Sequence, residues 1–173
     1  MEAEEILRKH EIAISHFQFQ HNEIRADGLE EIAIEAARAA YAKLRKPVIV
    51  EDSGLFIPVL NGFPSTYSAW AMGKIGCDGI LKLMRNEKNR NAYFEACIVF
   101  VGKKPVKTFT ARCKGKVAMK KAGNSGFGYD PIFIPDGYDK TFGQSISLKN
   151  KLSHRYKSLL KFIRYYKLKV KSD

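Results

Sequence analysis

Cysteine is scarce in this chain of 173 residues: Cys77, Cys97 and Cys113 stand far apart, with no Cys-x-x-Cys pair. That spacing excludes a disulfide framework and a zinc ribbon. No run of about 18 apolar residues occurs, which excludes a hydrophobic spanning helix. The opening Met1-Glu2-Ala3-Glu4-Glu5 lacks the basic-then-apolar pattern of a secretory signal, so a cytoplasmic protein is expected. Internal repeats and low-complexity linkers are also missing, and residues 1–173 are predicted to form one domain.

Acidic residues are the other shortage. Thirty Lys and Arg face 18 Asp and Glu, a net charge of +12, and the excess is uneven. From Lys149 to Asp173 there are nine basic residues and one acid. Such a cluster suits an anionic small molecule such as a nucleotide, or a nucleic-acid backbone. The plain structural alternative is a solvated helix face.

The chain alternates helical and extended patterns, as an α/β protein does. Residues 2–10 are good helix formers without a visible N-cap. Ile12, Ile14, Phe17 and Phe19 alternate roughly as a strand would. Asp27 with Glu30 has capping-box spacing and opens an alanine-rich helix to about Leu44, closed by Pro47. Val48-Ile49-Val50 is a short apolar run of the kind buried on both faces of a sheet, ending in Glu51-Asp52-Ser53-Gly54. Leu55 to Leu60 resumes as a strand, and a helix is predicted over residues 78–85. Residues 93–101 and 106–113 form a predicted hairpin across Gly102-Lys103-Lys104. A glycine-rich loop over residues 122–130 leads to a short extended segment, residues 131–135. One final helix is predicted over residues 148–168, with Leu152, Tyr156, Leu159, Leu160, Ile163 and Tyr166 as its apolar stripe.

Four clusters place charge or bare backbone where a core has no need of them. Glu51-Asp52-Ser53-Gly54 puts two carboxylates at the end of a strand, where α/β sheets gather ligands and where carboxylates hold Mg²⁺ against phosphate oxygens. An N-cap beside a surface charge is the structural alternative. Gly126-Phe127-Gly128-Tyr129-Asp130 offers close backbone approach, aromatic faces and an acceptor for ring N–H groups. Structural corners also use such turns. Lys149 with Ser153-His154-Arg155 makes a donor-rich, positive site for phosphate or a base carbonyl, or else a basic helix surface. Glu23 is a lone acid in a loop after the early strand.

In this order the pieces resemble one family, the inosine triphosphate pyrophosphatases, also called Ham1-like or dITP/XTP pyrophosphatases, with the archaeal-type members most similar. The matching stretches are Pro47 to Leu55, Leu60-Asn61-Gly62-Phe63-Pro64 with Tyr67-Ser68, Gly126 to Phe133, Lys140-Thr141-Phe142, and Lys149-Asn150 with Ser153-His154-Arg155. The resemblance implies an elongated α/β fold, a mixed sheet flanked by helices with a cleft between two lobes, and a homodimer. It implies cleavage of ITP, dITP or XTP between the α and β phosphates to the monophosphate and pyrophosphate, with Mg²⁺ as cofactor. Carried over by motif, Asp52 is the general base, and Glu23, Glu51 and Asp52 place the metal. Ser53, Phe127, Gly128, Tyr129, Asp130, Lys149, His154 and Arg155 bind substrate. Neither a membrane nor a nucleic acid is expected as a partner.

Three departures accompany the resemblance. Members of the family begin with a strand and a Thr/Ser-x-Asn-x-x-Lys phosphate loop, which has no counterpart ahead of Glu2, so a sequence that starts inside the first helix is expected. Ser65 stands where the family has Gly, and Ala69 where some members have Lys. A competing reading is a non-catalytic nucleotide or RNA binder that uses Lys161, Arg164, Lys167 and Lys169 of the basic C-terminal helix.

Overall fold

The computed structural model describes residues 2–18 and 24–169. Its elements in chain order are α1 (Glu2–Lys9), α2 (Leu29–Leu44), β1 (Val48–Phe56), β2 (Pro64–Ser65), α3 (Ser68–Leu83), β3 (Asn91–Val101), β4 (Lys107–Val117), β5 (Phe133–Pro135), α4 (Ile146–Leu152) and α5 (His154–Lys169). The strands join in one five-stranded sheet of order β2-β1-β3-β4-β5, antiparallel where β2 meets β1 and where β5 meets β4. The α/β class expected from the sequence is the one observed.

The chain divides into two compact units, and β1, β3 and β4 each contribute residues to both. The first unit comprises residues 1–52, 96–111 and 155–173. Its core joins Leu7 and Ile12 to Ile98 and Phe100 of β3 and to Leu159, Phe162 and Ile163 of α5. Phe109, Tyr165 and Tyr166 add aromatic contacts around Phe100 and Phe162. The i, i+3, i+4 spacing of residues 159, 162 and 163 turns one face of α5 inward, while Lys161, Arg164, Lys167 and Lys169 stay exposed. In α2, Leu29, Ala33, Ala36, Ala37 and Ala40 are buried at the same helical spacing.

The second unit comprises residues 53–95 and 112–154. Its core is aromatic: Phe94 packs on Phe133 at 4.7 Å between centroids, and Phe133 on Phe142 at 5.3 Å. Leu55, Ile57, Ile80, Met84, Ile132 and Tyr129 complete it. In Lys140-Thr141-Phe142 the last two residues are scaffold: Phe142 is fully buried, and Thr141 forms a capping box with Gln144 while its hydroxyl donates to the Ala122 carbonyl at 2.7 Å. Tyr129, 3% exposed, donates its hydroxyl to the Ser68 carbonyl at 3.2 Å. Burial, and to a smaller degree Cys77, pushes its phenol up to about 12.

Several local expectations are corrected. No strand forms over residues 12–18; of that pattern only Ile12 reaches the core, while Ile14 and Phe17 are exposed, and Phe19 lies outside the described residues. Alternation makes a strand only where a ladder takes it up. The N-cap of α2 is Gly28, with no side-chain cap, so Asp27 and Glu30 form no capping box. Val48, Ile49 and Val50 are half-buried, and β1 continues unbroken through Glu51 to Phe56, which puts the carboxylates inside the strand. Residues 58–60 are a 3₁₀ turn. The helix expected from residue 78 begins at Ser68, and a non-helical Gly76 (φ 58°, ψ −164°) kinks it. The final helix is two helices, because Ser153 at φ −60°, ψ 152° breaks the run between α4 and α5.

Backbone proximity explains why two positions are glycine. A Cβ on Gly54 would lie 2.3 Å from the Ser65 carbonyl oxygen, and one on Gly115 2.3 Å from that of Ile134. These are the places where β2 crosses β1 and β5 crosses β4. Ser65 holds φ 56°, the left-handed conformation glycine favours, so the backbone at this position keeps a glycine shape despite the side chain. Gly73 faces open space. In chemical denaturation Gly54→Ala and Gly115→Ala are each expected to cost roughly 1–3 kcal/mol, whereas Gly73→Ala is expected to be neutral or to stabilise by up to about 1 kcal/mol. The buried phenol gives a second expectation. Its folded value lies above the ordinary 10, so its contribution to stability is complete below pH 10 and disappears as pH rises through about 12. Ultraviolet titration of tyrosinate should show a late step near pH 12 that Tyr129→Phe removes.

Candidate functional site

Each unit carries a constellation of the expected residues. In the first unit, β1 presents Glu51 and then Asp52, and side chains alternate along a strand, so the two carboxylates face opposite sides of the sheet. Arg155, in the first turn of α5, donates its Nε to both Glu51 oxygens at 2.6 and 2.8 Å. The pair is mostly withdrawn from solvent, with side chains 16% and 21% exposed, and it fixes the guanidinium against β1. Asp52 is half-buried on the other face.

Among the described residues no three His, Cys, Asp or Glu side chains form a group able to hold a metal ion. Glu51 has both oxygens on Arg155, and Glu23 lies outside the described residues. Asp52, on the opposite face of β1, is the second carboxylate of this strand. One carboxylate fits Mg²⁺ carried chiefly by water and phosphate oxygens, and does not fit a closed protein cage.

In the second unit, the turn at residues 126–130 is sharply divided. Gly126, Phe127 and Gly128 are exposed, while Tyr129 and Asp130 are buried. The Phe127 N–H donates to Asp130 Oδ2 at 2.7 Å, and Lys149 of α4 donates to the same oxygen at 2.6 Å. Both ion-pair side chains are 3% exposed. Lys149 Nζ also lies 3.8 Å from the centroid of the Phe127 ring, which is held above the cation although 60% of the residue faces solvent. Gly126, at φ 78°, is needed here, since a Cβ would come 2.1 Å from Asp130 Oδ2.

The result is one aromatic face turned outward over a buried cation–carboxylate pair. Tyr129 was expected beside Phe127 as a second stacking face, but its ring is in the core. Lys149 and His154 were expected in one helix and occupy successive ones, joined at the buried Ser153. His154 is 5% exposed and stacks on Phe94 at 4.7 Å with the rings 11° apart. Ser53, next to Asp52 in β1, is half-buried.

Sequence reasoning passed over two residues that shape this turn. Cys77, at the start of the second half of α3, donates its thiol to the Gly128 carbonyl at 3.4 Å. Burial raises that thiol above its ordinary value. Ser68 accepts the Leu55 N–H on its hydroxyl at 2.8 Å and donates to the Ser65 carbonyl at 2.7 Å. The Tyr67-Ser68 motif was the visible signal for Ser68; nothing in the sequence marked Cys77.

The comparisons with known proteins agree with one another. The Ham1 family model matches residues 1–165. A dITP/XTP pyrophosphatase of Methanopyrus kandleri is 46% identical over 98% of this chain and 91% of its own length. One of Saccharolobus solfataricus is 42% identical over 95% and 86%. Among solved structures, the Staphylococcus aureus Ham1 protein superposes with a TM-score of 0.80 at 34% identity, covering 86% of this chain and 81% of that one. A HAM1 protein from Coxiella burnetii, at 23% identity, shares the fold with a TM-score of 0.82. The chain belongs to the Ham1 family.

Proposed function

We propose that this protein hydrolyses non-standard purine nucleoside triphosphates, dITP, XTP and ITP, to the monophosphate and pyrophosphate. Relatives at 46% and 42% identity are dITP/XTP pyrophosphatases. The observation in this chain that best supports the reading is the outward Phe127 ring over the buried Lys149–Asp130 pair. A flat ring offers a stacking face to any purine, and the charges beside it distinguish purines by their edges. A 6-oxo purine presents a carbonyl acceptor and a ring N–H donor; adenine presents an amino donor and a bare ring nitrogen. Donors at this edge, a role the proposal gives to Lys149 and His154, would favour the carbonyl and reject the amino group. Asp130 complements the ring N–H with an acceptor.

The reaction is assigned to β1. Asp52 takes the proton of a water that attacks the polyphosphate, the anhydride bond between the α and β phosphates breaks, and pyrophosphate leaves. Mg²⁺ arriving with the polyphosphate would be held by Asp52, with Glu23 as a further candidate, and would supply charge neutralisation and polarisation of the phosphoryl group, while the Glu51 oxygens are given to Arg155. Ser53 and Gly128 border the substrate in the same proposal. Glu51 also orients Arg155 through its bidentate contact. A homodimer in the cytoplasm completes the reading. The exposed basic residues Lys161, Arg164, Lys167 and Lys169 then serve as a solvated face, with Lys161 donating to the Thr110 carbonyl at 2.6 Å.

A pyrophosphate-release assay against dITP, XTP, ITP, ATP and GTP tests the assignment. Turnover of the first three with Mg²⁺, abolished by a chelator, is expected, and release of orthophosphate alone would refute it. Asp52→Asn is expected to lose activity on the order of 10²–10⁴-fold. Lys149→Met leaves Asp130 buried beside no cation and is expected to cost roughly 3–5 kcal/mol. Adding Asp130→Asn should recover much of that stability in denaturant titration without restoring the preference for 6-oxo purines.

A further inference from the structure

The turn that carries Phe127 must hold its ring still to read a base, yet three of its five residues are exposed and two are glycines in left-handed conformations. Its own hydrogen bonds, Phe127 N–H to Asp130 and Asp130 N–H to the Phe127 carbonyl at 3.3 Å, close the turn on itself. They leave its tilt on the molecule undefined. That tilt is fixed by α3, through contacts on either side of the Gly76 kink.

Before the kink, Tyr129 donates to the Ser68 carbonyl at 3.2 Å. Ser68 is 8% exposed, and its hydroxyl is itself locked between the Leu55 N–H of β1 and the Ser65 carbonyl of β2. After the kink, the Cys77 thiol donates to the Gly128 carbonyl at 3.4 Å. The turn is therefore gripped at Gly128 and Tyr129, the residues between Phe127 and Asp130, while Lys149 grips Asp130 from α4. Gly76 at φ 58° lets one helical run present both a carbonyl and a thiol to that turn.

We propose that Ser68, Tyr129 and Cys77 are positioning residues for purine selectivity: a clasp from α3 that sets the angle of the Phe127 face and the Asp130 carboxylate, without touching substrate. The clasp also ties the turn to the backbone of Leu55, three residues beyond Asp52. It rests on the pyrophosphatase reading above and adds to it the residues on which discrimination between 6-oxo and 6-amino purines depends.

The test compares kcat/KM for ITP and ATP, and the binding of IMP and AMP by calorimetry, in wild type, Tyr129→Phe, Cys77→Ala and Cys77→Ser. Tyr129→Phe keeps the buried ring and deletes one hydroxyl. A net hydrogen bond is worth roughly a three- to tenfold effect, so the ITP/ATP and IMP/AMP ratios should each fall about that much, through KM more than kcat. Cys77→Ala should lower the ratio less, and Cys77→Ser, which keeps a donor, should restore it. A lower melting temperature with both ratios unchanged in Tyr129→Phe and Cys77→Ala would overturn the inference, since that is what mere core residues give. Should Tyr129→Phe fail to fold, the Cys77 pair decides alone. Wild-type protein that releases no pyrophosphate from ITP refutes the enzyme reading instead, and the IMP/AMP ratio still tests the clasp.

Discussion

The Lys149–Asp130 contact is the constraint to which the second unit answers. Two opposite charges at 2.6 Å, each side chain 3% exposed, are tolerated only when both are held in good geometry and their remaining capacity is used. The Phe127 N–H on the same carboxylate oxygen and the Phe127 ring over the ammonium meet part of this demand. Meeting those demands fixes the turn at residues 126–130, requires glycine at 126, and keeps α4 as a short helix of its own. Ser145 caps its start by accepting the Leu148 N–H, and the break at Ser153 ends it. Had α4 and α5 formed one straight helix, Lys149 and His154 would lie five residues apart, roughly 140° around the axis. The break frees His154 to stack on Phe94 while Lys149 keeps its partner.

The first unit follows the same logic with a looser pair. Glu51 and Arg155 are partly exposed, and one Nε donates to both carboxylate oxygens, an arrangement that orients a guanidinium more than it stabilises a fold. Strand alternation supplies the rest. Placing Glu51 on one face sends Asp52 to the other, so adjacent acids in the sequence carry separate duties: Glu51 steadies Arg155, and Asp52 is the general base of the proposed reaction.

How much was legible in the sequence depended on the range of the interaction. Helices α1 and α2 and the β3–β4 hairpin followed from period and turn chemistry, as did the inward stripe of α5 at Leu159 and Ile163, because these patterns are local. The family was legible from separated motifs in order. What escaped was set by contacts remote in the chain. The strand expected at residues 12–18 lacked a ladder, a fact no local pattern contains. The capping box at Asp27 and Glu30 had the spacing but lost the N-cap position to Gly28. The split at Ser153 hid inside a run of good helix formers, since the demands of Lys149 and His154 come from other elements. Tyr129 looked like a stacking residue beside Phe127 because composition cannot say which of two aromatics a turn buries.

These misses bear on what a motif records. In Glu51-Asp52-Ser53-Gly54, the glycine is required by the Ser65 carbonyl, and Leu55 beyond it gives its N–H to Ser68. In the turn at residues 126–130, Gly126 is required by Asp130, and Tyr129 by the core. Thr141 and Phe142 have no outward role at all. Each recognisable stretch therefore mixes a few groups able to meet a ligand with neighbours that hold them to the scaffold, and the second kind are fixed by burial, by hydrogen bonds or, at Gly54 and Gly126, by the lack of room for a Cβ. A substrate-contact role assigned to every residue of such a stretch overstates the site. Exposure and hydrogen-bond partners separate the kinds: Phe127 faces outward, while Tyr129 bonds inward to the Ser68 carbonyl and Cys77 to that of Gly128.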